Sequence, residues 1–359
     1  ACATDAADAF GALARTLGGL LTDEPSLRQH ILQGIGLLIL AQRSRVSASG
    51  TGLTPDADRG VSALGRYAKN FMPLLFNLHQ AELAEAKQAV LLETIAAYAS
   101  VAPDELLADF FKSVLRKFLE LSGDDSSQLM QHDHKAIQQQ RGLSELLIAL
   151  LPSLDGSLAE LLWRAVRPHL AHPDQQLQKK AYKATAALAD HHEAFVRERL
   201  EEIRATLDEA LPACLASCKH KRIQCFQYVL ARLDDEQVAA TLPALLGEVV
   251  LATKDPNQKT REAAYDLLLS VAEQTERRAA TKAGADSNAG ADAIRSLMLN
   301  LVAGLAGKSP HMISASLLAL SRLLFEYRER DELAPFSARL FSTAVSLLGH
   351  GAQEGPRAL

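Results

Sequence analysis

Lys179-Lys180-Ala181-Tyr182, Arg222-Ile223-Gln224-Cys225-Phe226 and Arg261-Glu262-Ala263-Ala264-Tyr265 are three versions of one local pattern: a basic or polar turn, then small and aromatic residues. Each opens a run whose apolar residues recur at three- and four-residue spacing, the period of a helix that buries one face. Ala181 to Cys225 is 44 residues and Cys225 to Ala264 is 39. These spacings straddle the period of about 40–47 residues that marks HEAT and armadillo units. Pro173, Pro256 and Pro310 stand in the turns ahead of such runs, where a proline ends one helix and sets the bend. A single helix pair cannot bury its apolar face alone, so successive pairs must stack. The fold expected is all-α, a right-handed α–α superhelix of the HEAT/armadillo type.

Working outward, the same spacing covers the 359 residues. Helices are expected near 5–20, 25–42, 61–77, 82–100, 104–121, 128–151, 157–171, 176–189, 193–217, 220–232, 236–252, 258–276, 291–305, 311–327 and 333–349. Stretches 43–60, 122–127 and 279–292 read as loops within one continuous solenoid over 1–359. Composition agrees, since Ala and Leu dominate and aromatics are only 5%, a balance that favours helix over strand. The chain starts Ala1-Cys2-Ala3 without Met and reads as an internal piece of a longer protein.

Several function classes find little support. Net charge is −5, which argues against indiscriminate coating of nucleic acid. The apolar run Ile35 to Ala41 falls short of the ~20 residues that cross a bilayer, so no membrane association is expected. Cys2, Cys214, Cys218 and Cys225, in a chain without a secretory leader, point to a reducing compartment. Cys214, Cys218, His220 and Cys225 form the one metal-like arrangement, but structural zinc prefers two close pairs separated by a loop, and buried free cysteine is a common core residue. His132-x-His134 and His191-His192 fall at helix ends, where imidazoles serve carbonyls or face water. Leu143-x-x-Leu146-Leu147 and Leu158-x-x-Leu161-Leu162 have the spacing of any buried stripe. With no phosphate loop and no nucleophile elbow, neither an enzyme activity nor a cofactor nor a small-molecule substrate is expected.

A second set of residues carries a family resemblance. Asn70 to Asn77 (NFMPLLFN), Trp163 to Leu170 (WRAVRPHL), Gln178 to Tyr182 (QKKAY), Leu245 to Lys254 (LLGEVVLATK) and Gly304 to Tyr327 follow one another in order. In this the chain resembles the ribosomal RNA processing protein 12 family over roughly Leu64 to Leu348. The resemblance implies a HEAT-repeat scaffold of the nucleolus and nucleus that shuttles to the cytoplasm. It implies association with small-subunit precursors and support of pre-rRNA processing and pre-ribosome export. The partners implied are the pre-ribosomal particle, both its pre-rRNA backbone and its assembly-factor proteins. The alternative is a karyopherin-like transport adaptor that binds a Ran-type GTPase or basic cargo.

Charge placement suggests where a partner would sit. Turns inside the repeats carry Lys179, Lys180 and Lys183, then Lys219, Lys221 and Arg222, then Lys254, Lys259 and Arg261, with Lys308 further on. Junctions between repeats, at 190–209, 234–236 and 326–332, are acidic. Equivalent turns of a solenoid stack on one edge, so a basic edge and an acidic edge are expected. The basic edge would track phosphates or an acidic protein surface. No aromatic residues interleave with it, so base-specific reading is not expected.

Overall fold

The computed structural model describes residues 2–48, 65–82, 84–122, 134–283, 288–306 and 309–351. Among them the chain is α-helical with short 3₁₀ turns. The α-helices are α1 (Cys2–Asp23), α2 (Arg28–Ala48), α3 (Ala68–Ala81), α4 (Glu85–Ala99), α5 (Asp104–Ser122), α6 (His134–Leu150), α7 (Gly156–Val166) and α8 (Gln175–His191). There follow α9 (Glu193–Ala210), α10 (Lys219–Ala231), α11 (Asp235–Ala252), α12 (Gln258–Ala283), α13 (Ala289–Ala303), α14 (Pro310–Glu326) and α15 (Ala334–Gly351). None of the described helices is long and apolar enough to cross a membrane. The chain forms two compact units, Ala1–Phe195 and Val196–Leu359.

In the first unit the even-numbered helices stack in a row, α2 on α4, α4 on α6 and α6 on α8. The odd-numbered helices pair with them, α3 against α4, α5 against α6 and α7 against α8. The second unit repeats the plan: α10, α12 and α14 form the row, with α11 against α12 and α13 against α14. This is the α-solenoid of the HEAT/armadillo type that the 44- and 39-residue rhythm implies. Ala181, Cys225 and Ala264 are all buried, so the repeated pattern marks the faces that stack.

Proline and aspartate punctuate the elements. Pro152, Pro168 and Pro212 each sit at the start of a 3₁₀ turn that closes a helix, because a residue without N–H cannot continue the i→i−4 ladder. Pro212 ends α9 at Ala210, earlier than the 193–217 expected. Asp155, Asp174 and Asp234 cap α7, α8 and α11 by accepting hydrogen bonds from otherwise orphaned amides.

Helix reaches into two stretches that read as loops in the sequence. α2 continues to Ala48; the polar run at 43–45 ends the apolar stripe without breaking the helix. α12 continues to Ala283 and α13 starts at Ala289, since Ala, Arg and Lys are among the best helix formers. Most of the expected loop 122–127 lies outside the described residues, as do His132 and Lys308.

Candidate partner-binding surface

In the first unit the three lysines project from α8. Arg141 of α6 grips the capping Asp174 with two bonds, Nε–Oδ1 at 3.3 Å and Nη2–Oδ2 at 2.6 Å. Burial pushes the Asp174 carboxyl up, but Arg141 and the amides of Leu177 and Gln176 outweigh it and hold the pKa below the usual carboxylate range. Lys180 does not face a partner freely, because its ammonium is paired with Glu145 of α6. The other Glu145 oxygen lies 3.4 Å from Nε2 of the fully buried His79 on α3. Partial burial raises the Glu145 pKa, yet His79 and Lys180 together bring it down to about 2. The Lys183 amine is lowered, first by desolvation and then by the Lys180 charge. Lys179 is half-buried and Lys183 exposed.

In the second unit three repeat turns converge. The turn leading into α10 meets the 253–257 turn through Lys219 Nζ, 3.1 Å from Asp255 Oδ2. Asp255 also accepts from the Asn257 amide at 2.9 Å, and Arg261 donates to the carbonyls of Asp255 and Pro256 at 2.9 and 3.0 Å. His311, from the turn into α14, lines the same groove as Lys219 and Lys254. Lys221 donates to Gln224 at 2.9 Å, Lys254 is half-buried and Lys259 exposed.

Arg222 requires a correction. It is fully buried, and its guanidinium forks onto Glu248 of α11 through Nε–Oε1 at 2.8 Å and Nη2–Oε2 at 2.9 Å. It also donates to the Leu207 carbonyl near the end of α9 and lies 5.1 Å over the Phe226 ring. It therefore clamps three helices together and presents no charge to a partner. A signal for this is legible in the sequence. Arg222, Cys225, Phe226 and Val229 share the i, i+3, i+4, i+7 face and all are buried, so the helical period places Arg222 inside.

The acidic junctions are partly neutralised by cations outside the basic turns. Asp235 pairs with Arg278 at 3.1 Å and Lys282 at 2.6 Å, and the Lys282 hydrogen bond leads in lowering its pKa. Arg330 pairs with Glu276, and Arg328 lies 3.1 Å from Glu329. Among the described residues no three His, Cys, Asp or Glu side chains converge as a metal site. Cys218 and Cys225 are buried, while Cys214 is half-exposed.

The family model for the HEAT repeats of ribosomal RNA-processing protein 12 matches residues 1–82. An RRP12-like protein of Gallus gallus is 30% identical over 338 residues, covering 92% of this chain and 24% of the relative. The RRP12-like protein of Homo sapiens is 28% identical over 333 residues, covering 90% and 23%. Over most of its length the chain is similar to the ribosomal RNA-processing protein 12 family. It spans about a quarter of the length of these relatives. Among solved structures, yeast importin-β (Kap95p) superposes with a TM-score of 0.62 at 10% identity, covering 93% of this chain and 39% of that one. At that identity the likeness is one of fold.

Proposed function

We propose that this chain is a piece of a ribosomal RNA-processing protein 12 family member, a non-catalytic scaffold in ribosome biogenesis that holds pre-rRNA backbone and assembly-factor proteins on small-subunit precursors. In this reading it works in the nucleolus and nucleus and supports pre-rRNA processing and export. The observation that carries it is similarity to RRP12-like relatives over nearly the whole chain. Lysines at the repeat turns supply its chemistry. Lys179, Lys183, Lys254 and Lys259 remain as phosphate ligands, with Lys180, Lys219, Lys221 and Arg261 engaged by their neighbours and Arg222 buried. Ammonium groups of this kind position a backbone without reading its sequence.

Reversing those four lysines to Glu and titrating single-stranded RNA at several salt concentrations tests the reading. Every phosphate that is no longer neutralised should lower the slope of log K against log[salt] by about 0.7. Unchanged affinity and slope would remove RNA from the proposal. Nucleotide-dependent binding of a Ran-type GTPase, without co-sedimentation with pre-ribosomes, would replace it with the transport-adaptor reading.

A further inference from the structure

Between α1 and the start of α3, within the first unit, lies a pocket of about 440 Å³. Gly11, Arg15 and Gly18 form one wall and share the i, i+4, i+7 face of α1. Tyr67, Asn70 and Phe71, at the N-terminal end of α3, form the other. The Tyr67 hydroxyl reaches α1 so closely that a Cβ at Gly11 would sit 2.9 Å from it. The half-exposed Tyr67 ring therefore spans the gap between the two helices. Phe71 is fixed by stacking on the buried Tyr98, with ring centroids 5.6 Å apart. The volume falls in the range of about 300–1,000 Å³ typical of small-ligand sites.

The pocket carries one sign of charge. Among the described residues Arg15 is the one charged group in its lining. The segments that build it, 10–18 and 65–74, add the exposed Arg66 and Lys69 and contain no Asp or Glu. Arg15 is exposed and donates Nε–H to the Gly11 carbonyl at 3.3 Å, which leaves its Nη groups to face an anion. A carboxylate would satisfy that cation but make no use of the Tyr67 ring or of Asn70. A nucleotide engages all three. Its phosphate takes the guanidinium, its base has a π-face for the ring, and the base edge matches an amide that both donates and accepts. We propose that the pocket holds one unstacked nucleotide of single-stranded RNA, its base against Tyr67 and Asn70 and its phosphate against Arg15. This rests on the reading that the chain binds RNA, and adds to the backbone contacts a point where a base is gripped. The ring that the basic repeat turns lack is supplied here, away from them.

The pocket can be filled without disturbing the fold. A Cβ added at Gly18 meets no atom within 4 Å. Glycine in a helix interior is unfavourable relative to residues with side chains, so Gly18→Leu should melt no lower than the parent. The probes are a short oligouridine and an abasic ribose-phosphate strand of equal length, titrated against the full chain at several salt concentrations. Oligouridine should bind at least about 5-fold more weakly to Gly18→Leu and to Tyr67→Leu, the loss expected of one stacked base. Tyr67→Phe, which keeps the ring, should match the parent. Arg15→Gln should lower the salt slope by about 0.7, whereas Gly18→Leu should leave it unchanged. The abasic strand should bind the parent, Gly18→Leu and Tyr67→Leu alike. With 4-thiouridine in the strand, photocrosslinks should map to Tyr67 or Phe71. Undiminished binding to Gly18→Leu, an equal loss for the abasic strand, crosslinks confined to other helices, or displacement by polyglutamate as readily as by unlabelled oligouridine would each overturn the proposal. Gly18→Leu changes no charge and leaves the repeat turns intact. Affinity lost there but kept on the four-lysine reversal removes the turns and keeps the pocket; the converse removes the pocket alone.

Discussion

Arg222 and His169 show how much one buried polar group can decide. Arg222 has traded solvent for Glu248, the Leu207 carbonyl and the Phe226 ring. Arg222→Ala strands the half-buried Glu248 carboxylate, and the expected cost in a urea melt is about 3–5 kcal/mol. Replacing the pair together, as Arg222→Met with Glu248→Leu, should cost far less, because neither charge is then left alone. His169 is a different case. Its Nδ1 donates to the Ala165 carbonyl at 3.1 Å, so Nε2 is bare and accepts from the Gln140 amide at 3.2 Å. Desolvation, then the neighbouring His172, lowers its pKa from 6.5. Above that value neither state binds a proton; below it the unfolded chain takes one that the folded chain resists. Thermal stability should therefore fall as pH drops from about 6.5 toward 5, and His169→Gln should flatten that dependence. The Glu145 contribution is separate, being present above 4.5 and lost as pH falls toward about 2.

Helix caps are where element stability is set. Asp174 accepts from the amides of Gln176 and Leu177 and also receives Arg141 of α6. Asp174→Ala should lower stability by about 1–2 kcal/mol, while Asp174→Asn, which keeps the cap but not the ion pair, should recover part of it. At this scale the sequence is highly legible, because helix periods, proline stops and aspartate caps are local physics. The boundaries that differ do so because polarity resembles irregularity. Residues 279–283 are polar or small, yet all but Thr281 are strong helix formers, and helix continues through them. Arg222 departs from expectation for a related reason: its charge suggests solvent, whereas the face of α10 to which it belongs is buried. The groove shared by Lys219, Lys254 and His311 has no signal of comparable strength, since its Leu211, Phe226 and Leu251 come from three segments whose convergence is tertiary.

Across the whole chain the charge question is one of place against total. Reversing Lys179, Lys183, Lys254 and Lys259 takes the formal charge from −5 to −13, enough to repel RNA from any surface. The matched control reverses Lys87, Lys112, Arg116 and Lys117, all exposed and away from the basic turns. If the turns hold the phosphates, the first set should lose far more affinity and salt slope than the second. Equal losses would mean that the field of the molecule, rather than an edge, attracts RNA. Fold class and family are readable from pattern and ordered matches. Which lysines stay available is not, because pairing partners such as Glu145 and Asp255 lie 35 and 36 residues from the cations they hold.

Cys214 lines the groove shared by Lys219, Lys254 and His311 and is half-exposed, while Cys218 and Cys225 are sealed in the packing. That difference makes the groove chemically addressable. A thiol placed beside a concave apolar surface lets disulfide exchange retain fragments by fit rather than by reactivity, so small molecules could be grown toward the site before any natural occupant is known.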